Sequence, residues 1–316
     1  MKRIAIVDFG TNTFNLLVVE VQPTQRSITA PAALNPVFNN KYPALLGKGG
    51  FGLAILTKDA LERSQLALTQ IATDIANNNV DQVFGFATSA VREAKNGSEF
   101  VLLAQKFGIQ VEVLSGDQEA ALICDGVRQS FDMGEELHLV MDIGGGSTEF
   151  IIANRDEIVW KNSYLLGVAR IKELFATTDP VSPEKILEIE TYLAKVLSDL
   201  LSEVEKHSNI TLIGSSGSFD TFFEMLHPQQ YQEGLTHWQF DQPEFLGLLE
   251  KLIDSHYADR LKMKGLLELR AEMIPLAALL TRFMLKKGNI KGVGVSTYSL
   301  KEGVLNYIQE KLWQKS

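Results

Sequence analysis

The stretch at residues 139–154, LVMDIGGGSTEFIIAN, limits what this chain can fold into more than any other. A short, β-branched apolar run at 139–143 carries one acid, Asp142, and breaks at Gly144, Gly145 and Gly146. It then passes through Ser147, Thr148 and Glu149 and resumes as an apolar run at 150–153. Runs of that length divided by a glycine cluster predict the two strands of a hairpin. The connection is too short for a βαβ crossover and no helical periodicity follows the glycines, which excludes a dinucleotide fingerprint and a Walker loop. What remains is a tight turn with bare backbone N–H groups, because glycine permits positive φ and lets an anion approach closely. Such a turn suits phosphate. Asp142 and Glu149 flank it, where they can hold a hard divalent cation against phosphate oxygens, since magnesium takes one or two carboxylates plus substrate oxygens. A glycine-rich hairpin with no ligand is the plainer alternative.

The pattern occurs twice. The N-terminal IAIVDFGTNTFNLLVVEV has an apolar run at 4–7, then Asp8, Gly10, Thr11, Asn12 and Thr13, then a second apolar run at 16–19. Aligning Asp8 with Asp142 places Gly10 on Gly144, Thr13 on Ser147 and Val18 on Ile152 without a gap, the mark of a duplicated unit. Two such hairpins facing each other would grip a phosphate from two sides of a cleft.

Paired Asp-x-Gly-x-x-(Ser/Thr) hairpins resemble the two phosphate loops of the sugar-kinase, actin and heat-shock-chaperone superfamily. Residues 142–149 resemble, letter for letter, the signature of the exopolyphosphatase and guanosine pentaphosphate phosphatase (Ppx/GppA) family within it. The resemblance implies an α/β fold of two actin-like (ribonuclease H-like) domains, each a mixed five-stranded sheet flanked by helices, with a cleft between them. Residues 1–122 with a returning helix at 298–316 would form the first domain and 123–297 the second. Longer members of the family add a helical metal-binding domain with a His-Asp pair; no such dipeptide occurs here, so the two-domain short form is expected.

At 316 residues two domains are also the expectation from size. A hydrophobic content of 45% and a mean hydropathy of +0.02 suit a globular protein, and no apolar stretch approaches the roughly 20 residues needed to span a bilayer. Met1-Lys2-Arg3 and the apolar run after it mimic a signal peptide only until Asp8. The single cysteine, Cys124, lies among Ala121, Leu122 and Ile123, which points to a buried core thiol and a reducing cytoplasm. The net charge of −9 argues against DNA binding, but it is unevenly spread: residues 260–301 hold nine Lys or Arg against two acids, a net +7. That stretch could track a polyanion, or its lysines could line solvated helix faces.

Along the chain, 22–48 is rich in Pro and Asn and reads as short strands or loops, and 47–52 (GKGGFG) as a loop whose lone Lys48 is weak support for anion binding. Family members often carry Arg where Leu45 stands, so no binding role passes to that position. Thr57 should cap a helix running to Asn77, with Leu61, Leu66, Leu68, Ile71 and Ile75 on its apolar face. An apolar strand at 83–87 enters a helix start carrying Arg92 at the carboxyl end of the sheet, where α/β proteins build sites; an arginine there can fork onto phosphate or pair with Glu93. A strand at 111–114 leads into Ser115, Asp117 and an apolar helix at 121–127, so Glu119 reads on its own as a first-turn acid. That helix is expected to link the two domains. Helices are expected at 168–174, 186–204, 245–255, 266–287 and 299–313, with Pro275 kinking or restarting the fourth, and strands at 211–214 and 293–296. The first of those strands ends in a third glycine and hydroxyl turn, Gly214, Ser215, Ser216, Gly217 and Ser218, whose plain reading is a β-to-helix turn with serine caps. The five histidines show no zinc-ligand spacing.

The resemblance adds roles. Residues 87–92 match a family stretch whose arginine faces phosphate, which favours Arg92 as a catalytic neutraliser. Glu119 matches the family's general base, with Gln118 replacing a neighbouring glutamate. Residues 214–218 stand where the superfamily contacts nucleotide or phosphate, and Arg270 matches a family arginine that lies five residues before a proline. The implied reaction is hydrolysis of a terminal phosphoanhydride. Gly10, Thr11, Asn12, Thr13, Gly144, Gly145, Gly146, Ser147 and Thr148 would cradle the phosphate. Mg2+ or another divalent cation would sit on Asp142 and Glu149, with Asp8 acting through metal-bound water. The expected substrate is inorganic polyphosphate, with guanosine penta- or tetraphosphate as the other choice; no membrane partner is expected, and a homodimer is left open. A kinase of the same superfamily and a non-catalytic nucleotide-binding regulator are the competing readings.

Overall fold

The structure, a computed structural model, describes residues 2–21 and 36–313. The loop segment expected at 22–48 therefore lies outside the described residues over 22–35, as does Met1. Two compact units are present, Met1–Gln129 with Leu300–Ser316, and Ser130–Ser299.

In the first unit β1 (Lys2–Phe9), β2 (Thr13–Val21), β3 (Pro36–Pro43), β4 (Gln82–Ala87) and β5 (Val111–Val113) form one sheet in the order β3-β2-β1-β4-β5. The apolar run of β1 at 4–7 is wholly buried, as a central strand covered on both faces must be. It pairs antiparallel with β2 and parallel with β4. At one edge β3 is mostly exposed and polar, which discourages pairing with another chain. The helix Lys58–Asn77 covers the sheet and begins where the sequence indicates: Thr57 accepts the Ala60 amide at 3.2 Å. Its buried stripe is Ala60, Ser64, Ala67, Leu68 and Ile71. Leu66, expected on that face, points to solvent at 69% exposure, because it falls off the three-and-four spacing that the stripe follows. The last helix, Leu300–Trp313, packs on β1, and Tyr307 donates to Glu112 at 2.6 Å.

The second unit holds β6 (His138–Ile143), β7 (Thr148–Ala153), β8 (Ile158–Tyr164), β9 (Thr211–Ser215), β10 (His237–Phe240) and β11 (Gly292–Ser296) in the order β10-β11-β9-β6-β7-β8. Read from β8, five of these strands repeat the order of the first sheet. The sixth corrects the expected five: β10, HWQF, adds antiparallel to β11. Four residues with polar members are too few to announce a strand. The duplication extends to register, since Asp8 pairs with Asn15 across β1 and β2 as Asp142 pairs with Glu149 across β6 and β7. A constant offset relates the two hairpins.

Two expected helices divide. The one at 186–204 becomes Pro183–Val196 and Ser198–Val204. The one at 266–287 becomes Glu268–Ala271 and Ile274–Lys287, the latter restarted by Pro275 in its first turn, where a missing N–H costs nothing. The protein has the α/β, actin-like (ribonuclease H-like) fold that the paired hairpins imply, with mixed sheets of five and six strands flanked by helices.

Candidate functional site

The parallel strands β1, β4 and β5 end side by side, since Phe9 pairs with Ala87 and Ala87 with Val113. The residues that follow them therefore share one edge of the first sheet: the hairpin turn from Gly10, the start of the helix Ser89–Glu93 with Arg92, and the start of the helix Gly116–Ser130 with Glu119. A Cβ on Gly10 would meet the Thr13 carbonyl oxygen at 2.8 Å, and one on Gly144 the Ser147 oxygen at 3.0 Å, so both turns need glycine at the same step.

How these turns are held fixes where their amides point. In the first, the Thr11 carbonyl accepts from Gly47 and the Asn12 carbonyl from Ala44 and Leu45. Carbonyl and N–H of one planar trans peptide point in opposite directions, so the N–H groups of Asn12 and Thr13 face away from that supporting loop. Arg63 clamps the loop by donating to the Ala44 and Leu45 carbonyls at 3.1 and 2.9 Å. In the second, the carbonyls of Gly144 and Gly145 accept from the first amides of the helix Val168–Phe175, and the Gly146 carbonyl accepts from Arg170 Nε at 2.9 Å. The N–H groups of Gly145, Gly146 and Ser147 are thereby turned outward together, a concave nest of donors. Thr148 is fully buried and its hydroxyl donates to the Leu166 carbonyl at 3.1 Å.

Four strands contribute a polar row across the second sheet: Ser163, Glu149, Asp142 and Ser215 are successive cross-strand partners. Directly paired residues project to the same side of a sheet. Asp142 accepts from Ser215 at 2.7 Å and from Ser299, and Glu149 accepts from Ser163 at 2.6 Å. Burial pushes the Asp142 carboxyl above its ordinary range, partly offset by the Ser299 and Ser215 hydroxyls. A buried carboxylate held by hydroxyls, beside a second carboxylate on the same row, suits a hard cation. Among the described residues no group of three or more His, Cys, Asp or Glu could ligate a metal alone, so such an ion would need oxygens from elsewhere. The first hairpin lacks this pair, because Asn15 occupies the position matching Glu149 and donates to Asp8 at 2.9 Å.

Arg92 and Glu119 meet in the first unit. Arg92 Nη1 donates to Glu119 Oε2 at 2.6 Å and to the Leu114 carbonyl at 3.0 Å, while its Nε donates to Glu93 at 3.0 Å. The Glu93 pairing read from sequence is thus present, on the same guanidinium that holds Glu119. Glu119 is buried, and its helix start is fixed by a reciprocal cap: the Gln118 amide donates to Ser115 Oγ at 3.2 Å and the Ser115 amide to Gln118 Oε1 at 2.9 Å. Gln118 retains the geometry of a capping box without a second charge beside Glu119.

At the end of β9, Ser216 takes a left-handed φ of 67° and opens the helix Ser216–Leu226. Gly214 lies under the Phe219 ring, and the Arg270 guanidinium rests against Gly217 while donating to Thr221. Arg270 is thereby brought to the Gly214–Ser218 turn. Part of the basic stretch at 260–301 is committed to partners within its own unit. Arg260 is buried and donates to the Ala271 and Ser255 carbonyls and to Asp179, Arg282 pairs with Glu190 and Glu250, and Lys301 pairs with Glu302. Cys124 is buried and its thiol is pushed up to about 11 by burial, as a structural thiol would be. No helix among the described residues is long and apolar enough to cross a membrane.

Sequence reasoning missed the residues that hold the site: Asn15, Arg63, Ser163, Arg170 and Ser299. Only Asn15 had a signal, since the ungapped duplication sets it opposite Glu149.

Residues 26–311 match the Ppx/GppA phosphatase family. An exopolyphosphatase from Cytophaga hutchinsonii superposes with a TM-score of 0.90 at 35% identity, covering 98% of each chain. A Ppx/GppA family member from Aquifex aeolicus gives 0.76 at 22% identity, covering 100% of this chain and 99% of that one. An exopolyphosphatase-like protein gives 0.86 at 22% identity, covering 98% and 99%. With hairpins, sheet order and sequence in agreement, the chain belongs to the Ppx/GppA phosphatase family, hydrolases of phosphoanhydrides.

Proposed function

We propose that the protein releases the terminal phosphate of inorganic polyphosphate, with Glu119 as general base. The observation that carries this reading is the contact between Glu119 and Arg92: a buried carboxylate at a sheet edge, held by a guanidinium beside a turn of outward N–H groups. Phosphoryl transfer asks a protein mainly for positioning and charge neutralisation. Each unit offers outward N–H groups to phosphate oxygens, those of Asn12 and Thr13 in the first and those of Gly145, Gly146 and Ser147 in the second. Arg92 neutralises the transferred group, and Glu119 orients a water and accepts its proton, a contribution of about 10²–10⁴-fold in rate.

Asp142 and Glu149 are the residues that would hold Mg2+ or another divalent cation, which supplies neutralisation of phosphoryl charge when bound. Ser215, Ser299 and Ser163 keep those carboxylates oriented. Asp8, held by Asn15, stands at the matching place in the first hairpin, where it can order water. Polyphosphate is preferred over guanosine pentaphosphate because the relative at 35% identity is an exopolyphosphatase. Phosphate release measured with magnesium from polyphosphate, guanosine pentaphosphate and ATP, each alone, tests this reading. Release from polyphosphate fastest is expected; transfer from ATP to an acceptor without release from polyphosphate would replace it with a kinase.

A further inference from the structure

A concavity of about 580 Å³ lies within the second unit, bordered by the end of the helix Ser216–Leu226, by the helix Gln242–Asp254 and by residues 259–264. Its apolar wall is Met225, Leu226, Leu248 and Met263. Lys251, Lys262 and Lys264 stand around it against one acid, Asp259. None of these three lysines has an acidic partner among the described residues, whereas Lys172, Lys185, Lys206 and Lys286 each do. In a chain of net charge −9 that is a local surplus of positive charge.

Two features show that the concavity is built. Gly247 sits inside a helix, where glycine costs about 0.5–1 kcal/mol against alanine, yet a Cβ there would meet nothing within 4 Å. Gly247 borders the concavity, so a side chain at this position would project into its open space. The lysine-bearing segment is also pinned at both ends. Arg260 is buried with its guanidinium on the Ala271 and Ser255 carbonyls, and Gly265, at φ +81°, lies against Glu224 and Met225.

We propose that this concavity binds a nucleoside di- or triphosphate, its ring against Met225, Leu248 and Met263 and its phosphates among Lys251, Lys262 and Lys264. Thioethers adapt to flat rings and contact them favourably, and ammonium groups bind phosphate as point charges. The volume lies within the range of small-molecule pockets, about 300–1,000 Å³. An inorganic anion would leave the apolar wall unused, and an apolar molecule would leave the charge unanswered. The proposal is independent of the hydrolytic reading.

Calorimetric titration with ADP, adenosine and pyrophosphate, each alone, tests it on wild type, Gly247→Leu and the double variant Lys262→Glu/Lys264→Glu. ADP should bind at least about tenfold more tightly than either fragment, a difference of about 1.4 kcal/mol. Gly247→Leu should remove most of that affinity while its melting temperature and its rate of phosphate release from polyphosphate hold. The lysine variant should weaken ADP by about tenfold or more and lower the salt dependence of binding. ADP binding no tighter than pyrophosphate, or equally tight in Gly247→Leu and in the lysine variant, overturns the proposal. Loss of phosphate release in wild type would instead count against the hydrolytic reading and leave these titrations interpretable.

Discussion

Arg92 and Glu119, 27 positions apart in sequence, form a single charge-assisted hydrogen bond of 2.6 Å at the edge of the first sheet. Glu119 is 8% exposed at its side chain and Arg92 17%, so little solvent screens the pair. Removing the guanidinium leaves a desolvated carboxylate. Arg92→Met should lower unfolding free energy by about 1–3 kcal/mol, the cost of an unmet buried polar group. Adding Glu119→Gln to it should cost less than the sum of the single changes, a coupling readable from urea unfolding of all four proteins. Strict additivity would mean that the pair is not formed in solution.

Arg170 holds the triple-glycine turn through the Gly146 carbonyl. Arg170→Met should leave that peptide free to rotate and misalign the outward amides. An increase in KM for polyphosphate of about tenfold, equivalent to one charge-assisted hydrogen bond, is expected, with kcat changed less. Steady-state phosphate release separates the two parameters.

Asp142 illustrates a site residue that lowers stability. Burial raises its carboxyl above an ordinary value near 3.8, so in the window between the two values the folded chain holds a proton that the unfolded chain has lost. Its cost to stability is therefore absent below the ordinary value and complete above the raised one. Asp142→Asn should melt higher than wild type at neutral pH without divalent cations, by an amount on the order of 1 kcal/mol, and should lose phosphate release. Equal melting temperatures well below the ordinary value near 3.8 and a gap at neutral pH is the expected pattern in thermal scans.

Asp179 has the opposite sign. Burial opposes its ionisation, but the Tyr257 amide and Arg260 outweigh that and hold its carboxyl below the ordinary value near 3.8. The stabilisation is present above that value and is lost as pH falls through the lower folded one. Asp179→Asn should melt below wild type at neutral pH, and the gap should close in acid. A gap that persists in strong acid would show the effect to be steric.

The hairpins were legible because their pattern is local and duplicated: Asp8 and Asp142, Gly10 and Gly144 announce themselves within a few residues of sequence. The helix capped by Thr57 was legible for the same reason. What lies across the fold was not. Ser299 is 157 positions from the Asp142 it donates to, and Ser215 is 73 away, so no window of sequence contains either pair. Strand β10 was lost because four mixed residues carry no period. Composition does not record partners within the basic stretch at 260–301: Arg282 is committed to Glu190, 92 positions away, and Arg260 to backbone carbonyls. Glu119 read on its own as a first-turn acid, and the reciprocal cap between Ser115 and Gln118 shows that the helix start is satisfied without its side chain.

The direct measurement of the central claim is single-turnover release of phosphate from polyphosphate by wild type and Glu119→Gln, with substrate affinity determined in parallel. Glu119→Gln keeps size and hydrogen-bonding capacity and removes only the base. The rate should fall by about 10²–10⁴-fold while affinity stays within about twofold. A variant that releases phosphate at the wild-type rate would contradict the assignment of Glu119 as the base.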